Sequence, residues 1–189
     1  MLAPRHHPHL LQPDNALILV VDMQESFLKS IFEADRLVEN VNKLIRGANI
    51  LRIPVISTVQ NRKALGEVIP TVKTLLPALL PPFDKMTFNC FANAGIASEI
   101  ARSGRKQIIL CGMETHICIS QTALGLTAAS HQVHVAADAV SSRTHENWQG
   151  GLNRMRQSGV FVTSVEAALY ELLHEAGTAD FRDILAIIK

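Results

Sequence analysis

The sequence predicts a doubly wound α/β domain, a mostly parallel sheet with helices on both faces. Its strand-like runs are continuously apolar, as in Ala16-Leu-Ile-Leu-Val-Val21 and Gln107-Ile-Ile-Leu-Cys111, which is the pattern of strands buried on both faces. These runs alternate with longer segments whose apolar residues recur at helical spacing, such as Leu37, Val38, Val41, Leu44, Ile45 and Ala48. The length of 189 residues suits one core, since cores split into domains only beyond roughly 250 residues. In such folds ligands bind beyond the carboxyl ends of the strands, where the strand order reverses.

Residues 1–13, with His6, His7 and His9 set among Pro4 and Pro8, read as a flexible arm, and 14–189 as a single domain. Ala16–Val21 is the first strand and ends at Asp22; the helix carrying Leu37 to Ala48 follows. Pro54–Val59 is a β-branched second strand. Gln107–Cys111 and Val133–Ala137 are two more, with a helix over Ile119–Ser130 between them. A helix over Trp148–Gln157 stops at Gly159, since glycine is the usual C-terminal residue of a helix. Val160–Val162 is the last strand; Thr163-Ser-Val-Glu166 fits a capping box for a helix over Ala167–His174. An amphipathic helix, Phe181–Ile188, closes the chain.

Composition narrows the function classes. With 18 Lys+Arg against 17 Asp+Glu the net charge is +1, and no basic stripe or aromatic ladder points to nucleic acid. No apolar run approaches the ~20 residues of a membrane span. Cys90, Cys111 and Cys118 form no CxxC pair, which favours a reducing compartment, with the cytoplasm as the default. Neither GxGxxG nor GxxxxGK[ST] follows a strand, which disfavours dinucleotides and P-loop nucleotides. A small-molecule substrate is the remaining expectation.

Three polar residues stand where apolar segments end: Asp22, Lys85 and Cys118. The turn Gly112-Met-Glu-Thr-His-Ile-Cys118 puts the cysteine near the first turn of a helix, where free N–H groups and the helix dipole favour a thiolate. A thiol attacking a carbonyl or nitrile needs a base, the role open to Asp22, and a cation, the role open to Lys85. Lys85 is expected to lower the thiol pKa, and the backbone N–H groups of Glu114 and Cys118 are candidate oxyanion donors. Each residue also has a plainer reading: Asp22 as a turn cap, Lys85 as a solvated lysine, Cys118 as a small buried hydrophobe.

The order and spacing of four motifs add information. Val20-Val-Asp-Met-Gln24 with Phe27, Lys85-Met-Thr-Phe88 with Phe91, Gly112–Cys118, and Val133-His-Val-Ala-Ala-Asp-Ala-Val-Ser-Ser-Arg143 together resemble the isochorismatase-like cysteine hydrolase superfamily over roughly residues 14–189. Arg154-Met-Arg-Gln-Ser-Gly159 followed by Thr163-Ser-Val-Glu166 looks most like the isochorismatase domain-containing protein branch. The resemblance implies the isochorismatase-like hydrolase fold with a six-stranded, mostly parallel sheet, including a strand near Lys85 that periodicity does not show. It also implies a catalytic triad of Asp22, Lys85 and Cys118, a cis peptide between Met113 and Glu114 beside the oxyanion site, and homo-oligomers, dimers or larger.

Nicotinamidases of this superfamily hold a metal through residues after the second strand. Here Thr58-Val-Gln-Asn-Arg-Lys-Ala-Leu65 offers neither histidine nor aspartate, so neither a catalytic metal nor another cofactor is expected. True isochorismatases have glycine at the position of Cys118, so the cysteine favours thiol chemistry. Gln24 and Gln60 are candidate donors to a substrate, Phe27, Phe88 and Phe91 a candidate apolar wall, and Thr115 and His116 further candidate contacts. Solvation of the glutamines and core packing of the aromatics are the alternatives. His131 and His134, three apart on a strand, would point to opposite faces. Asp138 and Arg143 read as loop braces, and Glu114 either faces a neighbour or biases the pocket against anions. The expected activity is metal-independent hydrolysis of a small amide or related C–N bond through a thioester. Isochorismatase-type ether hydrolysis and a non-catalytic scaffold are the alternatives.

Overall fold

A computed structural model describes residues 7–189; His6 and the rest of the first six positions lie outside the described residues. The elements run β1 (Ala16–Val21), α1 (Glu25–Leu28), α2 (Ala34–Ile50), β2 (Val55–Gln60), α3 (Arg62–Leu65), α4 (Pro70–Lys73), β3 (Phe83–Lys85), α5 (Ala94–Ser103) and β4 (Gln107–Met113). They continue α6 (Ser120–Ala128), β5 (Gln132–Ser141), α7 (His145–Gln157), β6 (Phe161–Thr163), α8 (Val165–Leu173) and α9 (Ala179–Ile188). The sheet has six strands in the order β3-β2-β1-β4-β5-β6, and every pairing is parallel.

The alternation of side chains along a strand divides β1 between two cores. Ala16, Ile18 and Val20 pack into a layer with Leu37, Val41, Leu44 and Ile45 of α2 and Leu169 and Leu172 of α8. Leu17, Leu19 and Val21 pack into the other, with Ile96 and Ile100 of α5, Ile119, Leu126 of α6 and Met155 of α7. All six residues of β1 are buried, which is why its sequence shows no polar face.

Differences from the sequence reading have local causes. Ser164, not Thr163, caps α8, accepting from the Ala167 N–H at 3.2 Å, so the helix begins at Val165. β3 has only three residues, of which Phe83 is half-buried and Asp84 exposed, too short and too polar for a periodic signal. The part of the expected arm that is described is held against the domain. Leu11 is fully buried, its N–H donates to Glu171 at 2.9 Å, and the Leu10 and Pro8 carbonyls accept from Gln107 and Gln132. Among the described residues no helix is long and apolar enough to cross a membrane.

The strand order reverses at β1, whose neighbours are β2 and β4, so the crevice expected for a ligand opens between the ends of β1 and β4. Gly112 permits their close approach. It has φ +108°, and a Cβ there would lie 2.0 Å from the Val21 carbonyl oxygen. Gly150, inside α7, faces open space. In urea unfolding, Gly112→Ala is expected to cost about 3 kcal/mol or more. Gly150→Ala should gain about 0.5–1 kcal/mol; equal effects would contradict this packing.

Candidate active site

Asp22 is the residue at which β1 leaves the sheet. Its φ of 52° lies in the left-handed region, which aspartate tolerates better than most non-glycine residues. Each carboxylate oxygen has a partner: Oδ1 accepts from Thr58 Oγ1 at 2.7 Å and Oδ2 from Lys85 Nζ at 2.7 Å. Lys85 ends β3, two strands away and therefore about 10 Å off, and its four-carbon stem helps to bridge that gap. Both side chains are essentially inaccessible, at 0% and 1% exposure. Buried charges require such pairing, and removing one partner typically costs about 3–5 kcal/mol.

Cys118 completes the cluster. β4 ends at Met113, the Met113–Glu114 peptide is cis, and Thr115–Ile119 forms a π-turn that feeds α6. The Lys85 ammonium donates toward Cys118 Sγ at 3.8 Å. Burial pushes this thiol up to about 12, the Asp22 carboxylate adds to the rise, and Lys85 pulls against both. The expected lowering is therefore reversed: desolvation outweighs the lysine, and the resting thiol is protonated at neutral pH. Burial likewise raises Cys90 to about 11 and raises Cys111 further. Burial works to lower the Lys85 pKa, yet the group is raised; at neutral pH, where the thiols are uncharged, the charge of Asp22 and its hydrogen bond hold the ammonium protonated.

The remaining candidates divide. Gln24 is fully buried and bonded to protein at both ends, so it is not free to donate to a substrate. Its Oε1 accepts from the Gln60 N–H at 2.8 Å, and its Nε2 donates to the carbonyls of Gln60 and Gly66. Gln60 uses its Nε2 on the Met86 carbonyl at 3.0 Å and its Oε1 on Lys85 at 2.6 Å, so it too is a structural partner. The aromatic wall does not form as one surface. Phe27 packs on one core layer and Phe91 on the other, while Phe88 is 52% exposed.

Thr115 is buried with no hydrogen-bond partner for Oγ1 among the described residues. His116 is partly exposed, with Nδ1 2.9 Å from Ser142 Oγ, and its pKa is lowered by burial, with Glu114 opposing and Arg143 assisting. Glu114 faces a neighbour: its Oε2 accepts from Arg143 N and Nε at 3.2 and 3.0 Å. Asp138 braces α8 by accepting from the Val165 N–H. His131 and His134 lie against different rings, Phe91 and Phe161.

Sequence reasoning missed Thr58, the second anchor of Asp22, and Cys90, whose Sγ is 4.0 Å from Thr58 Oγ1. The parallel register of β1 and β2, with Val20 opposite Ser57 and the Asp22 N–H donating to the Thr58 carbonyl at 3.2 Å, brings Thr58 to Asp22, and the sequence carries no signal of that pairing. A surface groove of about 970 Å³ lies between α1, α3 and α4 and is lined by residues such as Glu25, Lys29, Val68 and Lys73. Its lining contains none of the three converging residues.

The Isochorismatase domain matches residues 16–167. The chain belongs to the isochorismatase family. Among its relatives, the "Secreted isochorismatase effector Isc1" of Phytophthora sojae is 35% identical over 95% of this chain and 87% of its own length. "Isochorismatase domain-containing protein 2" of Danio rerio is 36% identical over 94% and 89%. A solved structure, the MAR1 ribonuclease of Caenorhabditis elegans, superimposes with a TM-score of 0.88 at 33% identity, covering 94% of this chain and 91% of that one. Membership of this family supports a hydrolase, and the domain-containing relatives identify the branch.

The three thiols supply a test of the electrostatics. Cys118 is 7% exposed, while Cys90 and Cys111 are sealed. Iodoacetamide, followed by peptide mapping, should modify Cys118 first, with a rate still climbing above pH 9. A rate that levels off below pH 8 would contradict the protonated resting thiol.

Proposed function

We propose that this isochorismatase-family protein is a cysteine hydrolase that cleaves a small-molecule amide or related C–N bond through a thioester on Cys118. The observation that carries the reading is the convergence of Asp22, Lys85 and Cys118, from the ends of three strands, into one buried cluster with contacts of 2.7 and 3.8 Å. A nucleophile, a base and a cation in reach of one another are the parts acyl transfer needs.

Because the thiol rests protonated, its proton leaves in the attacking step. As Cys118 Sγ bonds to the carbonyl carbon, the S–H proton passes to the Asp22 carboxylate and the carbonyl π electrons move onto oxygen. That oxyanion is assigned to the N–H groups of Glu114 and Cys118; the flanking Ile117 and Ile119 amides are already engaged by the Glu114 carbonyl. Collapse breaks the C–N bond, and Asp22 returns the proton to the departing amine. Water, deprotonated by Asp22, then attacks the thioester, releasing the carboxylic acid and the thiol. Lys85 keeps a positive charge beside the sulfur whenever it is a thiolate. Thr115 and His116, on the same turn, are assigned to substrate contact.

A second reading is favoured by one observation, the relative named a secreted isochorismatase effector. Vinyl-ether hydrolysis of isochorismate would use Asp22 and Lys85 and leave Cys118 a bystander. One experiment separates the two: a panel of small amides, ureides and nitriles, together with isochorismate, assayed with the native protein and Cys118→Ala. The thiol reading predicts at least about a thousandfold loss of C–N hydrolysis in the variant. Full activity of Cys118→Ala on any of these C–N substrates refutes it, and full activity on isochorismate transfers the assignment to ether hydrolysis.

A further inference from the structure

At the carboxyl end of β2 the neighbouring strand β1 has already turned away at Asp22. The Gln24 side-chain amide takes the strand's place, accepting from the Gln60 N–H at 2.8 Å and donating to the Gln60 carbonyl at 3.1 Å. A further bond to the Gly66 carbonyl at 2.8 Å anchors Gln24 itself. The Gln60 side chain is fixed at its far end, where Nε2 donates to the Met86 carbonyl at 3.0 Å. Its Oε1 therefore faces Lys85 at 2.6 Å. The reverse orientation would set amide donors against an ammonium that has no acceptor.

An ammonium has three N–H bonds, and Lys85 has three partners: Asp22 Oδ2, Gln60 Oε1 and Cys118 Sγ. We infer that Gln60, locked by Gln24, is a positioning residue that fixes the Lys85 ammonium so that its third N–H is directed at the Cys118 sulfur. The catalytic consequence rests on the thioester reading above. When Asp22 takes the thiol proton its charge is lost, and Gln60 is the acceptor that does not change and still holds the lysine. A neutral amide suits this task, because a second carboxylate at this position would push the thiol higher still.

The test uses the substrate-free protein, so it is independent of whether amides are turned over. With ¹⁵N-labelled lysine, the native protein should show a slowly exchanging Lys85 ammonium cross-peak. Gln60→Met should lose that cross-peak with the backbone amide spectrum otherwise retained. It should also slow Cys118 alkylation at pH 9 by about tenfold through a higher thiol pKa. Gln60→Glu keeps the acceptor and should keep the cross-peak. Should Gln60→Met fail to fold, Gln24→Ala carries the same test, since its hydrogen bonds reach Lys85 by way of Gln60. A Lys85 cross-peak unchanged in the folded variant, or lost equally in Gln60→Glu, overturns the inference. Lack of amide turnover by the native protein would refute the hydrolase proposal and leave these readouts untouched.

Discussion

The buried ion pair between Asp22 and Lys85 is the interaction on which the site is built. Two full charges with almost no solvent contact are stable only when every remaining lone pair and proton is satisfied. The local structure meets that demand. Thr58 closes off the second carboxylate oxygen, Gln60 takes another ammonium proton, and Gln24 holds Gln60 where the β-ladder ends. The left-handed turn at Asp22 and the brief edge strand that ends in Lys85 then make sense as the backbone features that bring the two charges together across β2.

The same burial governs the nucleophile. A thiol raised to about 12 by desolvation and a neighbouring carboxylate is not a preformed thiolate, so a lysine 3.8 Å away does not activate it at rest. Under the proposed mechanism the electrostatics act later. Once Asp22 has accepted the proton, the carboxylate that opposed ionisation is neutral and Lys85 faces the sulfur alone. On this proposal the site favours charge as it develops along the reaction, which is where preorganised groups contribute most to rate. The neighbouring Glu114 does not upset this balance, because Arg143 is bonded to its carboxylate.

Much of this was legible in the chain. Continuous apolar runs such as Ala16–Val21 imply a parallel sheet because two-sided burial leaves no polar face, and the structure shows that burial on both sides of β1. Asp22 and the turn that ends in Cys118 were legible because each follows an apolar run, whereas the strand that ends in Lys85 is too short and polar to show and was implied only by the family resemblance. What was not legible follows from distance along the chain. Thr58 meets Asp22 only through the β1–β2 register, and Gln24 and Gln60 look like solvated or substrate-facing side chains until the strand ends bring them together. The thiol shift was misjudged for a related reason: a helix start and a nearby lysine are visible in the sequence, while the depth of burial that overrides them is not. Ser164 rather than Thr163 as the α8 cap is a one-residue error of the kind to which helix boundaries are prone.

The central claim is that Cys118, within this buried cluster, is the atom that carries the acyl group. It is tested most directly by rapid acid quench during turnover of the best C–N substrate, followed by peptide mass mapping. The account predicts an adduct of the substrate's acyl mass on the peptide containing Cys118, accumulating within the first turnover. Sustained hydrolysis with no acyl mass on that peptide, or with the mass on Cys90 or Cys111 instead, would contradict it.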